Sequence, residues 1–290
     1  MATVTEWIDG ARPRTLPAAV VPVAVGTAVA VGDGVIAWRI ACALVVSLAL
    51  QVGVNYANDY SDGVRGTDDD EHRVGPVRLV GQKLARPRSV KLAAFGAFGV
   101  AGLAGLALAA AVGWELVVVG VAAIAAAWFY TGGSHPYGYA GYGELFVFFG
   151  VVATVGSAYV NTGALTWVAF AASIPVGFLA TALLVVNNLR DIPGDTKTGK
   201  HTLAVRMGDR ATRWLHTALL VGSLVGVVVV ALVAGRPWGV LGVLGAVVAV
   251  PAVRAVLGGA TGKDLIPVLG ATGRTQLVTG LLFALGLALT

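Results

Sequence analysis

Long apolar runs separated by short polar segments occupy most of the chain. They fall at about 15–32, 36–58, 91–111, 114–130, 143–160, 165–188, 212–234, 238–257 and 275–290. A helix needs about 20 apolar residues to cross the hydrocarbon core of a bilayer, and these runs are of that order, too long for barrel strands. The pattern predicts an all-α, polytopic membrane protein with nine transmembrane helices, forming one domain over residues 1–290. Pro17, Pro22 and Pro175 fall inside runs, where packed neighbours repair the freed backbone groups.

Composition sharpens this reading. The chain is 57% hydrophobic and 12% charged, where a soluble domain carries about 25% charged residues. Forty glycines fit close approach of helices in lipid. The single cysteine, Cys42, excludes an internal disulfide framework and a cysteine zinc cluster. A net charge of +5 raises nucleic acid as a partner, but the basic residues concentrate in loops beside apolar runs, so the sequence predicts no nucleic-acid partner and a lipid bilayer instead. With the amino terminus inside, every one of the 20 lysines and arginines except Arg39 and Arg236 lies in an inside segment. The positive-inside rule therefore puts the amino terminus in the cytoplasm of a cell-membrane protein, with Arg12 and Arg14 as orientation charges. Residues 1–14 form a short polar tail without a cleavage site, and the first run reads as a retained anchor. No short repeat is visible.

Two polar strings interrupt this pattern, Asn55-Tyr-Ala-Asn58-Asp59-Tyr-Ser-Asp62 and Asn187-Asn188-Leu-Arg190-Asp191-Ile-Pro-Gly-Asp195. Each closes an even-numbered run, the second and the sixth, at the cytoplasmic side. Carboxylates at a bilayer rim are costly unless something pairs with them. If the second helix continues through its string, Asn55, Asp59 and Asp62 line one face; in the sixth, Asn187, Asn188 and Asp191 share a face. Pro193 and Gly194 are expected to end the sixth helix and bring Asp195 round through a turn. Carboxylate and amide oxygens suit a hard cation, Mg²⁺ above all, which takes one or two carboxylates and shares the rest with phosphate and water. Asp68 to Glu71 read more simply as a solvated charge run.

Arg65, Arg78, Arg190, Lys197 and Lys200 stand close in sequence to these acids. Arginine forks and lysine point charges bind phosphate, so acids, Mg²⁺ and cations together describe a diphosphate site; for each cation, orientation charge is the competing reading. His72, His135, His201 and His216 are not placed for catalysis. Tyr56, Tyr60, Trp128, Phe129, Tyr130 and Tyr142 lie near the cytoplasmic rim, either to steady a cation or as an interfacial belt. Glu144 either orients a substrate or caps a helix.

The strings WIDGARPRTLPAAVVPVAVGTA, NYANDYSDGVRGTDDDEHRVGPVRLV, YTGGSHPYGYAGYGELFVFFG and NNLRDIPGDTKTGKHTLAVRMG resemble the UbiA superfamily of membrane prenyltransferases over nearly the whole chain. The resemblance implies nine helices around a central cavity, with a polyprenyl diphosphate as donor. It implies Mg²⁺ held by Asp59, Asp62, Asp191 and Asp195, with Asn55, Asn58, Asn187 and Asn188 in support; Asn58 joins the metal set, and Tyr130 and the five cations bind substrate. Two departures from the broader superfamily favour its naphthoate branch and 1,4-dihydroxy-2-naphthoate as acceptor. An Asp often found four residues after the position of Asp62 is Gly66 here, which leaves Asp68 as the candidate ligand. A lysine often found four residues after the position of Tyr130 is Ser134. Another acceptor, such as 4-hydroxybenzoate, is the nearest alternative; a cation-coupled transporter is the alternative of a different class.

Overall fold

In the computed structural model, residues 2–67, 75, 77–148 and 151–289 are described. They form helices, turns and loops, with no strand among the described residues. Among the described residues, eleven α-helical stretches follow in chain order: α1 Val4–Gly10, α2 Pro17–Val29, α3 Ala37–Val64, α4 Pro87–Val112, α5 Glu115–Phe129, α6 Gly143–Phe148, α7 Val151–Thr162, α8 Trp167–Lys197, α9 Leu203–Val233, α10 Gly245–Leu257 and α11 Leu265–Ala288. A 3₁₀ segment, Pro237–Leu244, leads into α10. Among the described residues, six helical segments are long and apolar enough to cross a membrane; α2 and α5 are shorter apolar helices.

Local chemistry sets several boundaries. Proline at the first turn opens α2 and α4, where its missing N–H has no intrahelical partner to lose. The Thr166 hydroxyl accepts from the Ala169 amide and caps α8. Gly208 breaks α9 with φ 76°, a conformation that favours glycine.

The run at 143–160 holds α6 and α7, with residues 149 and 150 between them outside the described residues. The predicted run boundaries need correction in three places. The last run is a full-length helix that begins at Leu265, because polar residues such as Thr272, Thr275 and Gln276 are buried against neighbouring helices. The run at 212–234 extends back to Leu203 across the Gly208 break. Finally, α8 does not stop at Pro193 but runs on to Lys197. Proline removes only its own N–H, and the helix needs just one more turn, in which the Thr196 hydroxyl bonds back to the Ile192 carbonyl.

The largest core lies where α2, α7, α8, α9 and α11 meet, built on Val21, Val25, Val176, Val227, Phe283 and Leu287. Small residues allow these helices to touch: a methyl group on Gly26 would come within 2.2 Å of the Thr154 carbonyl oxygen. Leu103, Val118, Val121, Leu232 and Val247, by contrast, are exposed apolar side chains on α4, α5, α9 and α10, suited to a lipid surround. The packing brings the last turns of α3 and α8 to the same end of the bundle, around one cavity.

Candidate functional site

The cavity has a volume of about 590 Å³, within the usual range for small-molecule sites. Asn55, Asn58 and Asp62 from α3 line it together with Asn187, Asn188, Arg190, Asp191 and Asp195 from α8. Arg78, Tyr130 and Lys200 complete the set of sequence candidates that it gathers. Asn58 and Asp62 share a face because α3 continues to Val64, and Asp191 and Asp195 share one because α8 continues past Pro193.

Asp62 is the hub. Its Oδ1 lies 3.2 Å from Lys200 Nζ and its Oδ2 lies 3.4 Å from an Arg78 guanidinium nitrogen. The Tyr139 hydroxyl also donates to Oδ1, and Lys200 stands over the Tyr139 ring, 4.6 Å from its centroid. On the opposite wall, Arg190 grips Asp191 in a two-pronged fork, both bonds 2.7 Å, and donates to Asn187 Oδ1 at 2.9 Å. Gly75 packs on the Arg190 guanidinium, where an added methyl group would lie 3.6 Å away, so the loop after α3 meets α8 directly.

Other candidates have different work. Asp59 does not line the cavity; its two oxygens accept the backbone amides of Leu79 at 2.8 Å and Val80 at 2.9 Å. Asp59 and Asp62 stand three residues apart on the same broad face of α3, and the Leu79 and Val80 amides draw the Asp59 carboxylate to their side. Asp59, expected as a metal ligand, anchors the segment that carries Arg78. Arg65 also lies off the cavity and donates to the carbonyls of Thr131 and Gly133, tying α3 to the loop after α5. Lys197 is exposed and does not reach the cavity. Asp68 lies outside the described residues.

The amides divide similarly. Asn58 Oδ1 accepts from the Thr131 hydroxyl at 2.8 Å. Asn188 Nδ2 donates to Glu144 Oε1 at 2.8 Å, while Glu144 Oε2 is buried without a hydrogen-bond partner among the described residues. Asn55 Nδ2 donates to the Ala11 carbonyl at 2.8 Å and faces the Thr15 hydroxyl at 3.2 Å.

Several cavity residues escaped the sequence reading. Arg12 and Arg14, taken as orientation charges, line it, as do Tyr137 and Tyr139. The three tyrosines crowded into HPYGYAGYG were the available signal for the latter pair. Of the six rim aromatics singled out from the sequence, Tyr130 alone lines the cavity. Tyr60 stacks with Trp128 and both rings face Lys91; Tyr56 packs edge-on to Trp7.

Among the described residues, no three acidic, histidine or cysteine side chains form a ready-built cage for a metal ion. The cavity nevertheless offers hard oxygen donors on two walls, Asp62 and Asn58 against Asp191, Asp195 and Asn187. That division fits Mg²⁺ shared with substrate phosphate oxygens better than an all-protein site.

The loop between α5 and α6 supplies the remaining electrostatics. Burial pushes the Tyr137 hydroxyl up to about 12. Burial and the adjacent Asp62 charge raise Tyr139 further, so it remains a donor to that carboxylate.

The model of the UbiA prenyltransferase family matches residues 19–265. The chain is 50% identical over 291 aligned positions to a 1,4-dihydroxy-2-naphthoate octaprenyltransferase of Mycobacterium tuberculosis, covering 99% of this chain and 98% of that protein. It shares its fold with a UbiA homologue from Aeropyrum pernix K1, with a TM-score of 0.70, 12% identity and 97% of each chain covered. It likewise matches a UbiA homologue from Archaeoglobus fulgidus bound to GPP and Mg²⁺, with a TM-score of 0.65, 13% identity, 98% of this chain and all of that one.

Proposed function

Because this chain belongs to the UbiA prenyltransferase family, we propose that it transfers a polyprenyl group from a polyprenyl diphosphate to 1,4-dihydroxy-2-naphthoate, releasing diphosphate and carbon dioxide in menaquinone biosynthesis. The observation that carries this reading is the convergence of Asp62 with Asp191 and Asp195 on one cavity that also holds Arg78, Arg190 and Lys200. The M. tuberculosis relative supports the choice of acceptor.

The donor's diphosphate lies against Arg78, Arg190 and Lys200, whose charges stabilise the leaving group as the allylic C–O bond breaks. Asp62, Asp191 and Asp195 with Asn58 would hold Mg²⁺, which when bound would supply further positive charge to that diphosphate; the Archaeoglobus homologue bound to GPP and Mg²⁺ supports Mg²⁺ as the cofactor. The bonding pair leaves with the diphosphate. The acceptor ring carbon that bears the carboxylate then donates its π pair to the allylic carbon. Carbon dioxide departs, its bonding pair restores the aromatic ring, and the product is the reduced form of demethylmenaquinone. No strong base is needed at the attacked carbon, in keeping with a cavity lining that holds no histidine among the described residues. Tyr130 sits on the cavity wall, where its ring face suits a developing cation.

In the membrane, α2, α5 and the α6–α7 pair join the six long segments to make nine spans. The positive-inside pattern of the loops supports a cytoplasmic amino terminus and a cavity that opens to the cytoplasmic face.

Purified protein supplied with Mg²⁺, geranylgeranyl diphosphate and carboxyl-labelled 1,4-dihydroxy-2-naphthoate tests the reading. The expected result is prenylated product with one carbon dioxide released per transfer. Turnover of 4-hydroxybenzoate with none of the naphthoate would overturn it.

A further inference from the structure

The segment Ala11–Thr15, a turn that runs into the 3₁₀ segment Pro13–Thr15, joins α1 to α2, and α3 holds it in place. Asn55 Nδ2 donates to the Ala11 carbonyl at 2.8 Å, and Gln51 Nε2 donates to the Thr15 hydroxyl at 3.2 Å. Thr15 in turn donates its hydroxyl to the Arg12 carbonyl at 2.9 Å. Arg12 sits at the centre with φ 56° and ψ 67°, a left-handed conformation that non-glycine residues adopt at a cost. The Pro13 ring that follows disfavours the right-handed alternative. Such a turn is kept only where surrounding structure over-determines it, and here it delivers Arg12 to the cavity wall, which Arg14 and Asp9 also line.

This pole is separate from the diphosphate cations. Arg78 and Lys200 sit against Asp62, and Arg190 grips Asp191. The Arg12 turn instead docks on Asn55, seven residues before Asp62 on the same helix. At 1.5 Å per residue that is about 10 Å deeper along the axis. Under the proposed reaction the acceptor is itself an anion, and its carboxylate is borne by the carbon that attacks the donor. Two anions are therefore brought close together, and each needs its own counter-charge. A guanidinium fork matches a carboxylate better than a lysine does.

We propose that Arg12 is the acceptor-specifying residue, binding the carboxylate of the aromatic acceptor, and that Asn55 and Gln51 are positioning residues that hold its turn. This rests on the prenyl-transfer reading above. Because the carboxylate keeps its charge while the allylic C–O bond breaks and leaves only afterwards, an arginine bound to it stabilises ground state and transition state alike; Arg12 therefore acts on acceptor KM rather than on kcat.

The test varies each substrate in turn with purified full-length protein, Mg²⁺, geranylgeranyl diphosphate and 1,4-dihydroxy-2-naphthoate. Arg12→Gln should raise acceptor KM at least tenfold and leave donor KM within twofold; Arg12→Lys should fall between it and the wild type. In the wild type, 2-naphthoate should compete with the acceptor at least tenfold more strongly than neutral 2-naphthylmethanol. A rise in donor KM instead, unchanged constants in Arg12→Gln, or equal potency of the two competitors would overturn the proposal. A wild type that forms no prenylated naphthoate would remove the parent reading, and this proposal with it.

Discussion

Lys200 Nζ lies 3.2 Å from Asp62 Oδ1, so the loop after α8 is joined to the last turn of α3. The same carboxylate collects Tyr139 and Arg78. Three further segments thereby converge on the α3 carboxylate, in a cavity that Asp191 and Asp195 also line.

If these acids carry the metal and the diphosphate, Asp62→Ala and Asp191→Ala should each lower kcat by about two to three orders of magnitude, the usual loss when a preorganised charge stabiliser is removed. Size-exclusion profiles in detergent should be unchanged. Wild-type turnover in either variant contradicts the assignment.

Asp59 should behave differently from Asp62. Asp59→Ala strips the acceptor from the Leu79 and Val80 amides, and each buried N–H left unpaired costs about 1–3 kcal/mol. The expected outcome is a lower melting temperature and a raised KM for prenyl diphosphate, through the displaced Arg78 segment. The Mg²⁺ concentration for half-maximal activity should stay where it is in the wild type. A marked rise in that concentration would show Asp59 to be a metal ligand after all.

Glu144 fixes the Asn188 amide through its Oε1. Glu144→Gln keeps an acceptor oxygen there and should retain most activity. Glu144→Ala frees the Asn188 side chain and should cost about tenfold in kcat/KM, close to 1.4 kcal/mol. Equal losses in both variants would point to a proton-transfer role instead.

Tyrosine ionisation sets an alkaline boundary. Burial raises Tyr137 to about 12, and burial with the Asp62 charge raises Tyr139. The fold favours their neutral forms, so their contribution to stability is complete below the unfolded tyrosine pKa of about 10 and is lost as pH rises through the raised values. An ultraviolet difference titration of wild type against Tyr139→Phe should show the Tyr139 phenolate only well above pH 10, in the range beyond the unfolded value of about 10. A phenolate signal lost in that variant at lower pH would contradict the Tyr139–Asp62 hydrogen bond.

Much of this architecture is written in the chain. Apolar runs locate the helices because lipid forces every backbone group into an internal hydrogen bond. The spacing of Asn58 and Asp62 locates half the site because α3 keeps its helical period to Val64. What spacing cannot reveal is which way a neighbouring side chain is drawn. Asp59 reads as a third acid on the metal face, yet two backbone amides from the Leu79–Val80 segment claim it. Arg12 and Arg14 obey the positive-inside rule and were fully explained by it; their position on the cavity wall depends on Asn55 and Gln51, some 40 residues away in sequence. Pro193 reads as a stop, but one missing N–H near a helix end is too small a loss to turn the chain.

The most direct test of the shared site is a structure of the protein with Mn²⁺ and a non-hydrolysable prenyl thiodiphosphate, with the metal located by its anomalous signal. The account expects Mn²⁺ between Asp62 and the Asp191–Asp195 face, the diphosphate touching Arg78, Arg190 and Lys200, and Asp59 still bonded to the Leu79 and Val80 amides. Metal bound away from Asp62, or a diphosphate outside this cavity, would contradict it.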